Sequence, residues 1–114
     1  MQVHFESHDL HGAQLRDLVL QRLSFAMRRV ALHVPTARVQ LTDINGPRGG
    51  IDKRCTLELR TEGAGTLVIS ATAARWREAF EHALARASRA LTRAWQRSRS
   101  HPKNNKRLPL PSSD

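Results

Sequence analysis

The sequence predicts an α+β domain in the order β-α-β-β-β-α, a four-stranded mostly antiparallel sheet with two helices packed on one face. Three observations carry this. Four stretches alternate apolar and polar residues, the period of a strand with one buried and one wet face. Two longer stretches repeat apolar residues at i, i+3 and i+4, the stripe of an amphipathic helix. The last three strand patterns are separated by glycine-rich turn signals, which makes them a meander.

Taken in order, residues 2–7 read as a first strand, with Val3 and Phe5 inward and Gln2, His4 and Glu6 outward. Residues 7–12 form a polar connection. Residues 13–31 read as a first helix whose stripe is Leu15, Leu18, Val19, Leu23, Ala26 and Val30. Val34 and Pro35 stop it, since the residue before a proline is biased out of the α region. The second strand, residues 37–44, turns Ala37, Val39 and Leu41 inward. The third, residues 53–62, turns Cys55, Leu57 and Leu59 inward and Arg54, Thr56, Glu58 and Arg60 outward.

Gly63-Ala-Gly65 makes a tight turn into the fourth strand, residues 66–72, with Leu67, Ile69 and Ala71 inward. The second helix, residues 74–98, would extend about 36 Å at 1.5 Å per residue. Trp76, Phe80, Ala83, Leu84, Ala87, Leu91, Ala94 and Trp95 make its buried stripe, with the tryptophans as core anchors rather than base-stacking platforms. The first strand reaches the meander through a helical crossover, the connection parallel neighbours require. Residues 1–98 thus form the folded domain. Residues 99–114, with Pro102, Pro109 and Pro111 and no periodicity, read as a disordered basic tail.

Charge narrows the partners. The chain has sixteen Arg and three Lys against ten acids, a formal net charge of +9. Such a surface seeks phosphate or an anionic membrane, and the excess of arginine, whose planar fork binds bidentately and stacks, favours nucleic acid. At roughly 100° per residue, Arg75, His82, Arg86, Arg89, Arg93 and Arg97 fall in one sector of the second helix, beside the apolar stripe. A solvated face would mix signs at i, i+4 spacing, and this sector does not. The first helix adds Arg16, Arg22, Arg28 and Arg29, so that two helices on one side of the sheet would frame an arginine-lined groove.

Other chemistries find little support. A lone cysteine, Cys55, cannot form an internal disulfide and fits a reducing compartment; it alternates with core residues and reads as a buried thiol. No secretory signal opens the chain, and no apolar run approaches the ~20 residues of a membrane span, so a cytoplasmic location is expected. His4, His8 and His11 lie close in sequence, but no second cluster completes a four-ligand metal set. Glu58 and Glu62 look like charge partners of Arg54 and Arg60 on a wet face rather than an acid-base pair in a cleft. The expectation is no catalytic residue, metal, cofactor, small-molecule substrate or membrane partner.

The loop between the second and third strands is the most specific feature. It reads Asp43-Ile44-Asn45-Gly46-Pro47-Arg48-Gly49-Gly50-Ile51-Asp52-Lys53-Arg54-Cys55. Gly46-Pro-Arg-Gly49 fits the nucleotide-clamping loop of KH domains, but there it joins two helices. A phosphate-cradling P-loop needs Gly-Lys-Ser/Thr opening a helix, which is missing. The spaced residues Asp43, Asn45, Gly46, Gly49, Gly50, Asp52, Lys53 and Cys55 instead resemble the central motif of the ribosome hibernation factors, the family of the ribosome-associated inhibitor and hibernation-promoting factor.

That resemblance covers about residues 1–98. It implies a non-enzymatic protein that binds the small ribosomal subunit near the decoding region, blocks messenger and transfer RNA sterically, and silences idle ribosomes in stationary phase or stress. The implied rRNA contacts are Arg22, Arg28, Arg29, Lys53, Arg54, Arg75, Arg86, Arg89 and Arg93, while Asn45, Gly46, Gly49 and Gly50 shape the loop. Two departures stand out. The family's second helix often opens Asp-x-Tyr-x-Ala-Ile-Asp, where this chain has Arg75 and Arg77. Long members also carry a C-terminal dimerisation domain, where this chain has a short tail, so it resembles the short type. The alternative reading is a general RNA-binding or RNA-chaperone module without a ribosomal address.

Overall fold

The computed structural model describes residues 1–44 and 52–100, without the side chains of Trp95, Ser98, Arg99 and Ser100. The loop residues Asn45, Gly46, Arg48, Gly49 and Gly50, the core placement of Trp95 and the tail from residue 101 onward lie outside that description. The described chain forms β1 (Gln2–Ser7), α1 (Leu10–Ala13), α2 (Arg16–Ala26), a 3₁₀ turn (Ala31–His33), β2 (Thr36–Asp43), β3 (Lys53–Arg60), β4 (Thr66–Ala73) and α3 (Trp76–Ser100). The strands lie in the order β1-β2-β3-β4, with β1 parallel to β2 and the other two pairings antiparallel. This is the α+β arrangement the alternation predicts.

Register converts that alternation into a core. Three rows cross the sheet on its helix side: Val3, Ala37, Leu59, Leu67; Phe5, Val39, Leu57, Ile69; and Ser7, Leu41, Cys55, Ala71. Against them lie Val19, Leu23 and Met27 from the α2 segment and Trp76, Ala79, Phe80, Ala83, Leu84, Ala87 and Leu91 from α3. Among the described residues, Phe80 is the largest side chain with no exposure, and complete burial of such a ring is worth roughly 1.5–3 kcal/mol. α3 lies across β3 and β4. Among the described residues, no helix covers the opposite face of the sheet.

The first helix departs from its expected 13–31 span. Asp9 caps a helix that starts at Leu10: its Oδ1 accepts from the N–H of His11 at 2.8 Å and of Gly12 at 3.2 Å. The chain then resets at Leu15 (φ −87°, ψ 2°) before α2. α2 ends at Ala26, which is exposed instead of buried, and Met27 is the residue that enters the core. Both follow Leu23 at helical spacing, but Met27 offers the larger apolar surface. α3 starts and ends two residues later than the 74–98 reading.

Two turns close the meander. Ile44 N–H donates to Asp52 O at 2.8 Å across the base of the first hairpin. At the second, Gly63 and Gly65 hold φ of +91° and +75°, values that L side chains rarely adopt. Thr61 fixes that turn: its hydroxyl donates to Gly65 O and accepts from Ala64 N–H.

Candidate nucleic-acid interface

α3 divides its circumference between core, cations and a seam with α2. From His82 to Ser100 it contains no acidic residue. Arg86, Arg89 and Arg93 are exposed, as is His82. Arg75 is exposed and sits just before the helix, its carbonyl accepting from Ala79 N–H at 3.0 Å. Arg86 Nη1 donates to Ser70 O of β4 at 2.9 Å, which fixes the sector on the β4 side of the helix.

The opposite flank of α3 faces α2. Arg22 grips Glu81 bidentately, Nε to Oε2 at 3.1 Å and Nη2 to Oε1 at 2.9 Å. This hydrogen-bonded pairing raises the Arg22 pKa above its ordinary value. The single groove framed by two basic helix edges is therefore corrected: the α3 stripe overhangs β4, away from α2, and Arg22 is held in the interhelical seam.

At the end of α2, Arg28 Nη1 donates to Phe25 O at 2.9 Å, and its guanidinium lies 4.3 Å from the Phe25 ring centroid. Phe25 is 60% exposed, so an arginine plane and an aromatic face lie together on the surface. Such a pair can stack on an unpaired base. Arg29 is exposed beside it. Sequence reasoning missed Phe25; its signal was an aromatic residue outside the apolar stripe of its helix.

Lys53 has a different setting. Its Nζ lies 3.0 Å from Asp43 Oδ2 and 3.4 Å from Asp52 Oδ2, and 5.2 Å from the centroid of the Trp76 ring. The hydrogen bond to Asp43 raises its pKa. Asp52 has no solvent exposure, and its Oδ1 has no partner among the described residues. Lys53 thus ties the hairpin base to the start of α3 rather than standing ready for phosphate. The buried Asp52 was the second residue missed, although its place in the loop motif marked it.

Arg54 is exposed on the helix-free face, with Thr42 and Thr72 as cross-strand neighbours. On the same face His4, Thr36, Arg38, Glu58 and Arg60 line a shallow recess. Glu58 stands opposite Arg38 across the strands, whereas Arg54 and Arg60 share its own strand. Cys55 is fully buried, and burial pushes its thiol up to about 12.

The structure thus defines an α+β scaffold with one helix flank of exposed arginines and a second, smaller arginine-aromatic patch. No model of a known protein family matches the chain, and neither does any curated protein. Among the described residues, no helix is long and apolar enough to cross a membrane.

Proposed function

We propose that this chain is a non-enzymatic ribosome-binding protein of the hibernation type, acting in the cytoplasm. It would occupy the small subunit near the decoding region and block messenger and transfer RNA. The observation that carries the reading is the α3 flank: Arg75, Arg86, Arg89 and Arg93 on one side of a rigid helix, with no acid from His82 onward. The loop motif around Asp43, Asn45, Gly46, Gly49, Gly50, Asp52, Lys53 and Cys55 supplies the ribosomal address. Helix-borne guanidinium groups meet phosphates with little reordering, and each fork can bind two oxygens. The mechanism is steric, and no bond is made or broken.

The test is sedimentation of small subunits with the protein through a gradient at low and high salt. Cosedimentation at low salt, release at high salt and competition by messenger RNA are expected, because phosphate contacts displace counterions. Protein that stays at the top of the low-salt gradient overturns the ribosomal reading. Arg89→Glu with Arg93→Glu should fold normally and lose cosedimentation.

A further inference from the structure

Among the described residues, strand β4 is an edge of the sheet, with β3 as its one neighbour. Its sequence, Thr-Leu-Val-Ile-Ser-Ala-Thr-Ala, contains no charge, proline or glycine over eight residues. Edges are ordinarily blunted by such residues, because an open row of N–H and C=O groups templates pairing with another chain. The other edge, β1, is shorter and carries His4 and Glu6. β4 has no comparable device of its own.

The guard comes from α3. Ser70 and Thr56 are direct partners whose hydroxyl oxygens lie 3.0 Å apart. The Ser70 carbonyl nevertheless accepts from Arg86 at 2.9 Å. It therefore points away from β3, and by antiparallel alternation the backbone groups of Thr66, Val68 and Thr72 point outward with it. Arg86 occupies the middle of that row. Val68 is 60% exposed, an apolar side chain on the helix-free face next to the blocked carbonyl.

We propose that the outer edge of β4 is a pairing surface for β4 of a second copy of this chain, held closed by Arg86. Two copies related by a two-fold axis at Ile69 would pair Thr66 with Thr72 and Val68 with Ser70. Each of these pairs occurs twice, and with two bonds per pair this makes about eight backbone hydrogen bonds. The row is uncharged and self-complementary, which suits an isologous contact. The two α3 stripes would lie on the same side of the joined sheet, and their repulsion is a second barrier that salt lowers. Salt therefore promotes this contact, the opposite of its effect on phosphate binding, so experiment separates the two readings although both use Arg86.

Molar mass in solution at raised salt tests it, with native circular dichroism as the folding control. The wild type should remain monomeric, and Arg86→Ala should double its weight-average mass. Adding Val68→Lys, an edge lysine, should return the mass to that of a monomer. Should Arg86→Ala fold poorly, Arg86→Met keeps the aliphatic stem and removes the donors. A folded, guard-less variant that stays monomeric overturns the pairing surface. Association that survives Val68→Lys places the contact elsewhere, and a wild type already dimeric overturns the guard.

Discussion

At Lys53 the surroundings of one side chain override what its charge suggests. Two carboxylates and an indole ring enclose the ammonium, and one carboxylate, Asp52, has no access to water. Removing the cation leaves that buried charge without its partner, the costly half of any buried pair. Lys53→Ala should lower Tm more than Arg54→Ala does, and Asp52→Asn in the Lys53→Ala background should recover part of the loss. Because the folded pKa of Lys53 is raised, its contribution is complete below the ordinary value of 10.5 and disappears as pH climbs through the folded value. The Tm difference between wild type and Lys53→Ala should thus hold from neutral pH to about 10 and shrink above that. Cys55 gives a related sign. As an acid raised from 9.0 to about 12, it favours the folded state until pH passes 9.0, then stability falls as the unfolded thiol ionises. At neutral pH a thiol reagent should label Cys55 only as fast as the domain opens. Labelling at the rate of an unfolded chain would contradict its burial.

The elements differ in how openly they were written. Strand alternation named Val39, Leu41, Leu57 and Leu59 as inward, and all four are buried, because a period of two leaves only one choice of face. The first helix was harder. Its start depends on the Asp9 cap and on Gly12, where a Cβ would meet Ser7 Oγ at 2.5 Å, a tertiary constraint invisible to periodicity. The α3 stripe was legible as a sector of the helix, but not as a place in the molecule. A helical wheel gives angles relative to the core, while the side on which α2 packs depends on the whole topology. Arg22 shows the cost of that gap, since its acidic partner is 59 residues away in sequence. With the stripe located, the phosphate contacts can be counted. Arg89→Ala with Arg93→Ala should reduce the slope of log affinity against log salt by about 1.4–1.8, from near 0.7 per lost contact on a single strand to near 0.9 on a B-form duplex. Arg60→Ala, on the helix-free face, should leave the slope unchanged. Equal effects from both faces would remove α3 as the principal contact.

For the whole molecule, one quantity ties stability to binding. Nineteen basic residues face ten acids, so repulsions among exposed guanidinium groups outnumber the attractions that pairs such as Arg22 and Glu81 provide. Salt shortens the Debye length from about 30 Å at 0.01 M to about 8 Å at 0.15 M, which weakens both kinds of interaction. The larger population decides the sign, so the free protein should become more stable as salt rises. Relief worth about 1 kcal/mol would appear as a Tm increase of roughly 4–8 °C in a domain of this size. Affinity for RNA should move the other way over the same range, because each counterion released by a phosphate contact gains less entropy as the bulk salt concentration rises. A thermal-denaturation series run beside a binding series in the same buffers reads both signs. Opposite slopes follow if the arginine flank is an unneutralised surface waiting for phosphate. A Tm that falls with salt would mean that the cations are already matched within the fold, and α3 would then have no excess charge to offer.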